Sequence, residues 1–362
     1  MDYMKQALSL AKDALGRTSP NPAVGAVIVK DGRVVGKGST EKAGGAHAEV
    51  VALTEAGEAA RGATIYVTLE PCCHSGRTPP CTLALIGAGI AQVHMATLDP
   101  NPQVSGKGKE ALETAGIKTH LGEEQQEARE LNESYMKYIT SGLPFVTAKF
   151  AMSLDGKIAS QTGESHWITG TQAREHVHEL RKRVDAIAVG VNTVVVDDPR
   201  LTARKEAQYI GEKQPLRIIV DTRGRTPPDA RIFREPGQTI VATKKLDPFR
   251  QRRLSEAGVE VWMLPSRRGR VDLHALLKAL GQREVTSLLV EGGGTLLGSF
   301  FDEELVDKVL AFVAPIIIGG EKAPGAVAGS GVKRISQALR LHRVRVEHLG
   351  EDMLITGYVR ED

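Results

Sequence analysis

The chain has 362 residues, 47 Lys and Arg against 44 Asp and Glu, a formal charge of +3, 41% hydrophobic residues and 3 Cys. That composition excludes a collagen-like, mucin-like or wholly disordered chain and allows two domains with a core each. Three cysteines cannot build a disulfide framework, no apolar run approaches a membrane span, and the opening MDYMKQALSLAKDALG lacks the parts of a signal peptide, so a cytoplasmic protein is expected.

Met4, Ala7, Leu8, Ala11 and Leu15 recur at helical spacing and predict a helix over 4–15, stopped by Gly16 and the turn through Pro20 and Pro22. AVGAVIV and RVVGKGST, joined at Asp31-Gly32, read as a hairpin. A helix is expected from His47 to about Ala60, a buried strand over 63–71, and a helix opened by Pro79 and Pro80. IAQVHMATLD reads as a strand, GKGKEALETAG as a helix, and 123–140 as one long polar-faced helix. This is a three-layer α/β domain, and SGLPF at 141–145 marks its boundary. The expected domains are 1–144 and 145–362. A cut near Gly142 leaves 14 basic and 16 acidic residues in front (−2) and 33 and 28 behind (+5). Neither half has the dense basic field of a non-specific nucleic-acid binder.

A second α/β alternation follows. FVTAKFAMS is a strand, TQAREHVHELRKRV a helix, and DAIAVGVNTV and LRIIV are strand-like. TIVAT, VEVWM and SLLV are apolar strands separated by helical segments, and DKVLAFVAPIII and EDMLITGYVR are closing strands. The region 199–237, rich in Pro, Arg and Gly, is loop-heavy. No internal repeat stands out.

The chemistry-bearing residues cluster. His47-Ala48-Glu49 opens one helix, Pro71-Cys72-Cys73 follows a strand, and Cys81 opens another helix. One imidazole and two thiolates suit a catalytic zinc ion whose fourth position is open to water. Glu49 is placed to move a proton between that water and the substrate. The pattern resembles the zinc-dependent cytidine and deoxycytidylate deaminases, whose signature is His-x-Glu with Pro-Cys-x-x-Cys. It departs in the longer stretch CHSGRTPP between Cys72 and Cys81. With that stretch, EPCCHSGRTPPC resembles the deaminase half of the bifunctional riboflavin biosynthesis deaminase–reductases. The resemblance implies His47, Cys72 and Cys81 as ligands of one zinc, Cys73 outside the set, and Glu49 as the catalytic carboxylate. It places His74, Arg77 and Asn21 of SPNPAVG at the substrate pocket, with the polar stretch 99–110 nearby. His94 and His120 are read as structural.

The back half lacks an early GxGxxG, and its glycine cluster is VEGGGTL at 290–296, between a strand and a helix. With AKFAMSLDGK, GESHWIT, LR at 180–181, DAI at 185–187, GVNTV and DDPRLT, it resembles the reductase half of the same family, which is related to dihydrofolate reductase. The resemblance implies NADPH held by Ala151, Trp167, Thr193, Asp197 and the turn Gly293, Gly294, Thr295, Leu296, Leu297 and Gly298. It implies substrate contacts at Ser165, Arg181, Leu201, Arg204 and Glu291. Arg181 and Arg204 are expected to fork the substrate phosphate, with Lys149 assisting polarisation. Thr222, Arg223 or a nearby residue after the LRIIVD strand is expected to meet the cofactor's 2′-phosphate. The expected partners are a small phosphorylated pyrimidine and further copies of the chain, with neither nucleic acid nor membrane. Two other readings, a nucleic-acid deaminase and a zinc-stabilised regulatory module, call for a basic groove and a closed fourth ligand respectively.

Overall fold

The computed structural model describes residues 2–74, 79–205, 208–211 and 213–361. The chain divides into two compact units, Met1–Leu143 and Pro144–Asp362. Arg77 lies outside the described residues.

The first unit begins with α1 (Tyr3–Ala14), β1 (Gly25–Lys30), β2 (Arg33–Ser39) and α2 (Ala48–Ala56). Then come β3 (Thr64–Val67), α3 (Cys81–Ala88), β4 (Gln92–Met95), α4 (Lys107–Thr114), β5 (Lys118–Leu121), α5 (Gln125–Leu131) and α6 (Glu133–Ser141). The sheet order is β2-β1-β3-β4-β5, antiparallel through β2, β1 and β3 and parallel from β3 to β5. Successive side chains of a strand face opposite ways. Ala26 and Ile28 therefore pack with Ala48 and Ala52 of α2, Leu85 of α3 and Leu112 of α4. Val27 and Val29 pack with Met4, Ala7 and Leu8 of α1 and Ala128 of α5. Helices cover both faces, which makes the unit a three-layer, cytidine-deaminase-like α/β domain.

Glycines set how closely α2 approaches. A Cβ on Gly36 would fall 2.3 Å from the Ala52 carbonyl oxygen, and one on Gly38 would fall 2.2 Å from that of Ala48. Only a bare backbone admits the helix that begins beside His47.

The second unit carries β6 (Phe145–Ser153), α7 (Thr171–Arg183), β7 (Ala186–Gly190), α8 (Val191–Asp197), the two-residue strands β8 (Arg204–Lys205) and β9 (Gln208–Tyr209), and β10 (Leu216–Val220). It continues with β11 (Thr239–Thr243), α9 (Pro248–Glu256), β12 (Glu260–Met263), β13 (Ser266–Arg267), β14 (Arg270–Val271) and α10 (Leu273–Gln282). It ends with β15 (Ser287–Glu291), α11 (Gly294–Asp302), β16 (Lys308–Ala314), β17 (His342–Leu349) and β18 (Asp352–Tyr358). The main sheet runs β12-β11-β10-β7-β15-β6-β16-β18-β17, parallel from β12 to β16 and antiparallel through β18 and β17. It is the dihydrofolate-reductase-like α/β domain of the second half. From β7 the chain moves outward to β10, β11 and β12, then returns to insert β15 on the other side of β7. That reversal makes a crevice beyond the carboxyl ends of β7 and β15, where ligands of open α/β sheets bind.

Five elements differ from the sequence expectation. The strand expected over 63–71 is confined to Thr64–Val67. The helix expected over 123–140 breaks at Asn132. VNTVVVD is α8 and not a continuation of its strand. β5 and β17 are additional edge strands and are largely exposed. Among the described residues no helix is long and apolar enough to cross a membrane.

Candidate active sites

Two helix starts meet in the first unit. His47 is the N-cap of α2, Glu49 lies in its first turn, and Cys81 is the first residue of α3. Cys72 follows β3 in a loop whose carbonyl accepts from Thr82 N at 3.2 Å. His47 Nδ1 lies 3.6 Å from Cys72 Sγ and 3.2 Å from Cys81 Sγ. These three ligand atoms all lie within 4.8 Å of one another. One nitrogen and two sulfurs at such separations fit a tetrahedral zinc ion with one position left for water.

The electrostatics are those of a metal-ready site. A hydrogen bond from Cys81, with help from His47 against burial, holds the Cys72 thiol down at about 4. Cys81, the donor of that bond and itself desolvated, is raised. Its backbone N–H also reaches Cys72 Sγ at 3.4 Å, as expected where a helix N-terminus meets a thiolate. Hydrogen bonding to Cys72 raises the His47 imidazole, against burial. Glu49 is only 4% exposed. Burial raises its carboxyl above the ordinary value, with the Cys72 charge adding to the effect and His47 opposing it. A buried carboxyl beside the three ligand atoms is placed to exchange a proton with a water held there.

A supporting layer fixes the loop of Cys72. Glu70, 3% exposed, accepts from the backbone N–H groups of Asp99 at 3.2 Å, Gly106 at 3.0 Å and Lys109 at 3.0 Å. It thereby ties the strand end to the start of α4. A Cβ at Gly108 would lie 2.2 Å from the Pro71 carbonyl oxygen, so the helix start and the cysteine turn touch backbone to backbone. Asp99 accepts from the Tyr135 hydroxyl at 3.1 Å, and burial lifts its carboxyl to about 6 despite the N–H of Asn101 and that hydroxyl. Asn132 exchanges two hydrogen bonds with the Ala23 backbone, at 2.8 and 2.9 Å. Sequence reasoning assigned no role to Glu70, Asn132 or Tyr135, whose partners are distant along the chain. The one local signal was the polar run beginning at Asp99.

Of the other front-half candidates, His74 carries a buried Nδ1 with no hydrogen-bond partner among the described residues. Asn21 sits half-buried in the turn before β1, its backbone N–H on the Thr18 carbonyl at 2.9 Å. His94 stacks between Tyr66 and His120 at 4.6 and 4.3 Å. Its Nδ1 lies 2.7 Å from Glu123.

In the second unit Glu291 and Lys149 are register partners on β15 and β6. Arg181, on α7, grips Glu291 through Nε and Nη2, both at 2.8 Å, and donates from Nη1 to the Thr202 carbonyl at 3.2 Å. Burial disfavours the Glu291 charge, but Arg181 and then Lys149 overcome it, and the carboxyl lies below its ordinary value. Burial lowers the Lys149 amine, with Glu291 opposing. Arg181 thus directs its fork at Glu291. Arg204 is different: its Nε is buried without a partner among the described residues. Burial and the nearby charges of Arg200 and Arg181 lower it. A cation crowded by cations and short of acceptors is suited to a phosphate.

Leu201 is buried at 4%. Ser165 Oγ donates to Asp197 Oδ1 at 2.9 Å, bringing two expected ligand residues together. Trp167 is 71% exposed, with the Arg174 guanidinium 4.7 Å from its ring. It lines a cavity of about 460 Å³ beside Ala314 and Asp352. Ala151 sits on β6 opposite Phe312 of β16.

The glycine turn divides into two roles. Gly292 and Gly293 have φ of 73° and 76°, which glycine adopts without strain. Gly293 caps α11, and the Thr193 hydroxyl would lie 3.1 Å from a Cβ placed on it. Gly294 and Gly298 answer to packing instead. Added Cβ atoms would fall 2.8 Å from the Gly325 carbonyl oxygen and 2.1 Å from that of Ala328. Leu297 is buried at 1%. A cavity of about 290 Å³ opens at the crevice between β7 and β15, lined among others by Gly190, Gly293, Thr295 and Leu296.

Comparison with known proteins covers both units. Residues 144–355 match the family described as the RibD C-terminal domain, and residues 1–97 match the cytidine and deoxycytidylate deaminase zinc-binding region. The riboflavin biosynthesis protein RibD of Aquifex aeolicus is 49% identical over 355 residues, or 98% of this chain and 97% of the relative. That of Escherichia coli is 42% identical over 362 residues, with 98% and 97% covered. The structure of Acinetobacter baumannii RibD, form 1, aligns with a TM-score of 0.87 at 40% identity, covering 98% of this chain and 97% of the other. A diaminohydroxyphosphoribosylaminopyrimidine deaminase/5-amino-6-(5-phosphoribosylamino)uracil reductase from Thermotoga maritima aligns with a TM-score of 0.85 at 37% identity and the same coverage.

Proposed function

The chain belongs to the RibD family of riboflavin biosynthesis proteins, which join a zinc-binding deaminase domain to a reductase domain, and from that premise we propose how its residues divide the two reactions. The first unit hydrolyses the amino group from 2,5-diamino-6-(ribosylamino)-4(3H)-pyrimidinone 5′-phosphate. The second reduces the resulting 5-amino-6-(5-phosphoribosylamino)uracil to the ribityl compound with NADPH. The observation that carries the first assignment is the close set of His47, Cys72 and Cys81 beside the buried Glu49.

Zinc held by His47, Cys72 and Cys81 supplies a nucleophile at neutral pH by acidifying water. Glu49 takes the proton released as the oxygen–carbon bond forms at the amino-bearing ring carbon. It returns a proton to the nitrogen as the carbon–nitrogen bond breaks, and ammonia leaves. His74 and Asn21 contact the substrate, and the unpartnered His74 Nδ1 supports the first of these. Cys73 stays outside the ligand set.

NADPH supplies the hydride for the second reaction. Arg204 binds the substrate phosphate, and the remaining N–H groups of Arg181 assist. Glu291, held by Arg181, orients the opened ribosyl chain, and Lys149 polarises its imine nitrogen as C1′ is reduced. Ser165 and Leu201 complete the substrate side. Ala151, Trp167, Thr193, Asp197 and the turn from Gly293 to Gly298 hold the cofactor, the last of these through backbone N–H groups at the start of α11. The chain acts in the cytoplasm as a homo-oligomer. Exposed Ile335, Val344 and Val346, the last two on edge strand β17, support self-association. A monomer in sedimentation experiments contradicts it.

Glu49→Gln tests the deaminase assignment. With zinc retained, ammonia release should fall by about 10²- to 10⁴-fold. A loss below about tenfold, with zinc in place, removes Glu49 from the proton path.

A further inference from the structure

One histidine beside Arg204 has no part in the reaction as assigned. His178 lies on α7, one turn before Arg181, so the two share a face of that helix. Its Nδ1 meets the stretch that carries Arg204. The Arg204 backbone N–H donates to it at 3.3 Å, and the Thr202 carbonyl oxygen lies 3.0 Å from it. Burial, then the charges of Arg181 and Arg204, hold the imidazole down at about 4, so the ring is neutral in the neutral pH range. A neutral ring accepts at Nδ1 from Arg204 in one tautomer and donates there to Thr202 in the other. Either bond fastens residues 202–204 to α7.

The same stretch is fastened from its other side. Gln214 accepts from Ala203 N at 2.8 Å and donates to the Ala203 carbonyl at 3.2 Å. Just ahead of it, Leu201 has a φ of 51°. A leucine in that left-handed region is strained, and the strain persists only where the surroundings over-determine the backbone. Arg204 itself has no side-chain anchor among the described residues. Its Nε is buried without a partner, and the charges of Arg200 and Arg181 crowd it. A guanidinium with no bonds of its own stands where its backbone puts it, and His178 helps to fix that backbone.

We propose that His178 is the positioning residue for Arg204: by fixing the 202–204 backbone it sets where the guanidinium stands, and with it the reductase's preference for a 5′-phosphorylated substrate. The proposal rests on the reading of Arg204 as the residue that binds the substrate phosphate. Preorganisation is the physical gain. A donor held in place before binding loses less freedom when the phosphate arrives, whereas a displaced one must be reordered at the expense of affinity. His178 touches neither the sugar nor the cofactor in this scheme, so its effect belongs to the phosphate alone.

The test is steady-state reduction by the full chain with NADPH, using 5-amino-6-(5-phosphoribosylamino)uracil and its dephosphorylated counterpart. The variants are His178→Leu, His178→Asn, Arg204→Gln and the double variant His178→Leu/Arg204→Gln. His178→Leu should raise KM for the phosphorylated compound by about tenfold, with kcat and the dephosphorylated reaction changed by no more than about twofold. Asparagine offers an oxygen or an NH₂ where Nδ1 stands, so His178→Asn should restore KM to within about threefold. Because His178 acts through Arg204, the double variant should be no worse than Arg204→Gln alone. Should leucine unfold the unit, His178→Ser, too short to reach residues 202–204, gives the same comparison. An unchanged KM, equal losses on both compounds, or additive losses in the double variant overturn the proposal. If Arg204→Gln itself leaves the preference for the phosphorylated compound intact, the phosphate reading of Arg204 fails instead.

Discussion

Glu70→Gln is the perturbation that probes the metal loop most selectively. In the native chain one carboxylate oxygen accepts from Asp99 N and Gly106 N, at 3.2 and 3.0 Å, and the other from Lys109 N at 3.0 Å. Glutamine keeps one acceptor oxygen. Placed where two N–H groups converge, its carbonyl preserves those bonds while its NH₂ faces the N–H of Lys109, donor against donor. The loss is one charge-assisted bond in a buried setting, about 1.5–3 kcal/mol, or about tenfold to 150-fold in a local opening equilibrium. Hydrogen exchange of the 99–109 amides reads this directly, because local opening is sampled apart from global unfolding. Exchange there should accelerate by that factor, and zinc should pass faster to a competing chelator. Exchange within about twofold of the unaltered chain would refute the reasoning. Faster zinc release without faster exchange would place Glu70's effect elsewhere.

Outcomes at three further sites follow from the same geometry. Glu291→Gln leaves the buried Arg181 without its full partner and should destabilise the second unit by about 3–5 kcal/mol, read by denaturant unfolding, whereas an apolar replacement of both residues should recover much of that. Glu291 titrates below the ordinary carboxylate range, so its stabilisation is complete above that range and is lost as pH falls through the depressed native value. Thermal melting of Glu291→Gln should therefore depend less on acid than that of the unaltered chain. Gly38→Ala puts a methyl 2.2 Å from the Ala48 carbonyl oxygen and should cost about 1–3 kcal/mol while displacing the helix of His47 and Glu49, measured as lost stability and lost zinc. Gly87→Ala on α3 meets nothing within 4 Å and should be neutral or stabilising by up to about 1 kcal/mol.

What sequence conveyed follows from the range of each interaction. His47, Glu49, Cys72 and Cys81 were legible because their motifs sit at helix starts and a strand end, features with local signals. The glycine turn was legible as a turn, but Gly294 and Gly298 answer to the 325–329 segment, which no local pattern reports. VNTVVVD, rich in β-branched residues, reads as strand yet forms α8, where tertiary packing of Val191 and Val194 overrides propensity. The break at Asn132 depends on its pairing with Ala23, and the grip of Arg181 on Glu291 spans 110 positions. β5 lies at a sheet edge with an exposed polar face and shows no apolar alternation, whereas β17 alternates through Val344 and Val346 but is an edge strand whose apolar positions stay exposed instead of marking a core.

The central claim is that one chain carries two reactions in a fixed order. The direct measurement supplies the purified chain with the diaminopyrimidine ribosyl phosphate and follows ammonia and NADPH together. The account predicts ammonia without NADPH, and NADPH oxidation only once deaminated product has formed. Glu49→Gln should block both signals from that substrate yet oxidise NADPH normally when the deaminated compound is supplied. NADPH consumed without ammonia, or undiminished ammonia from Glu49→Gln, would contradict it.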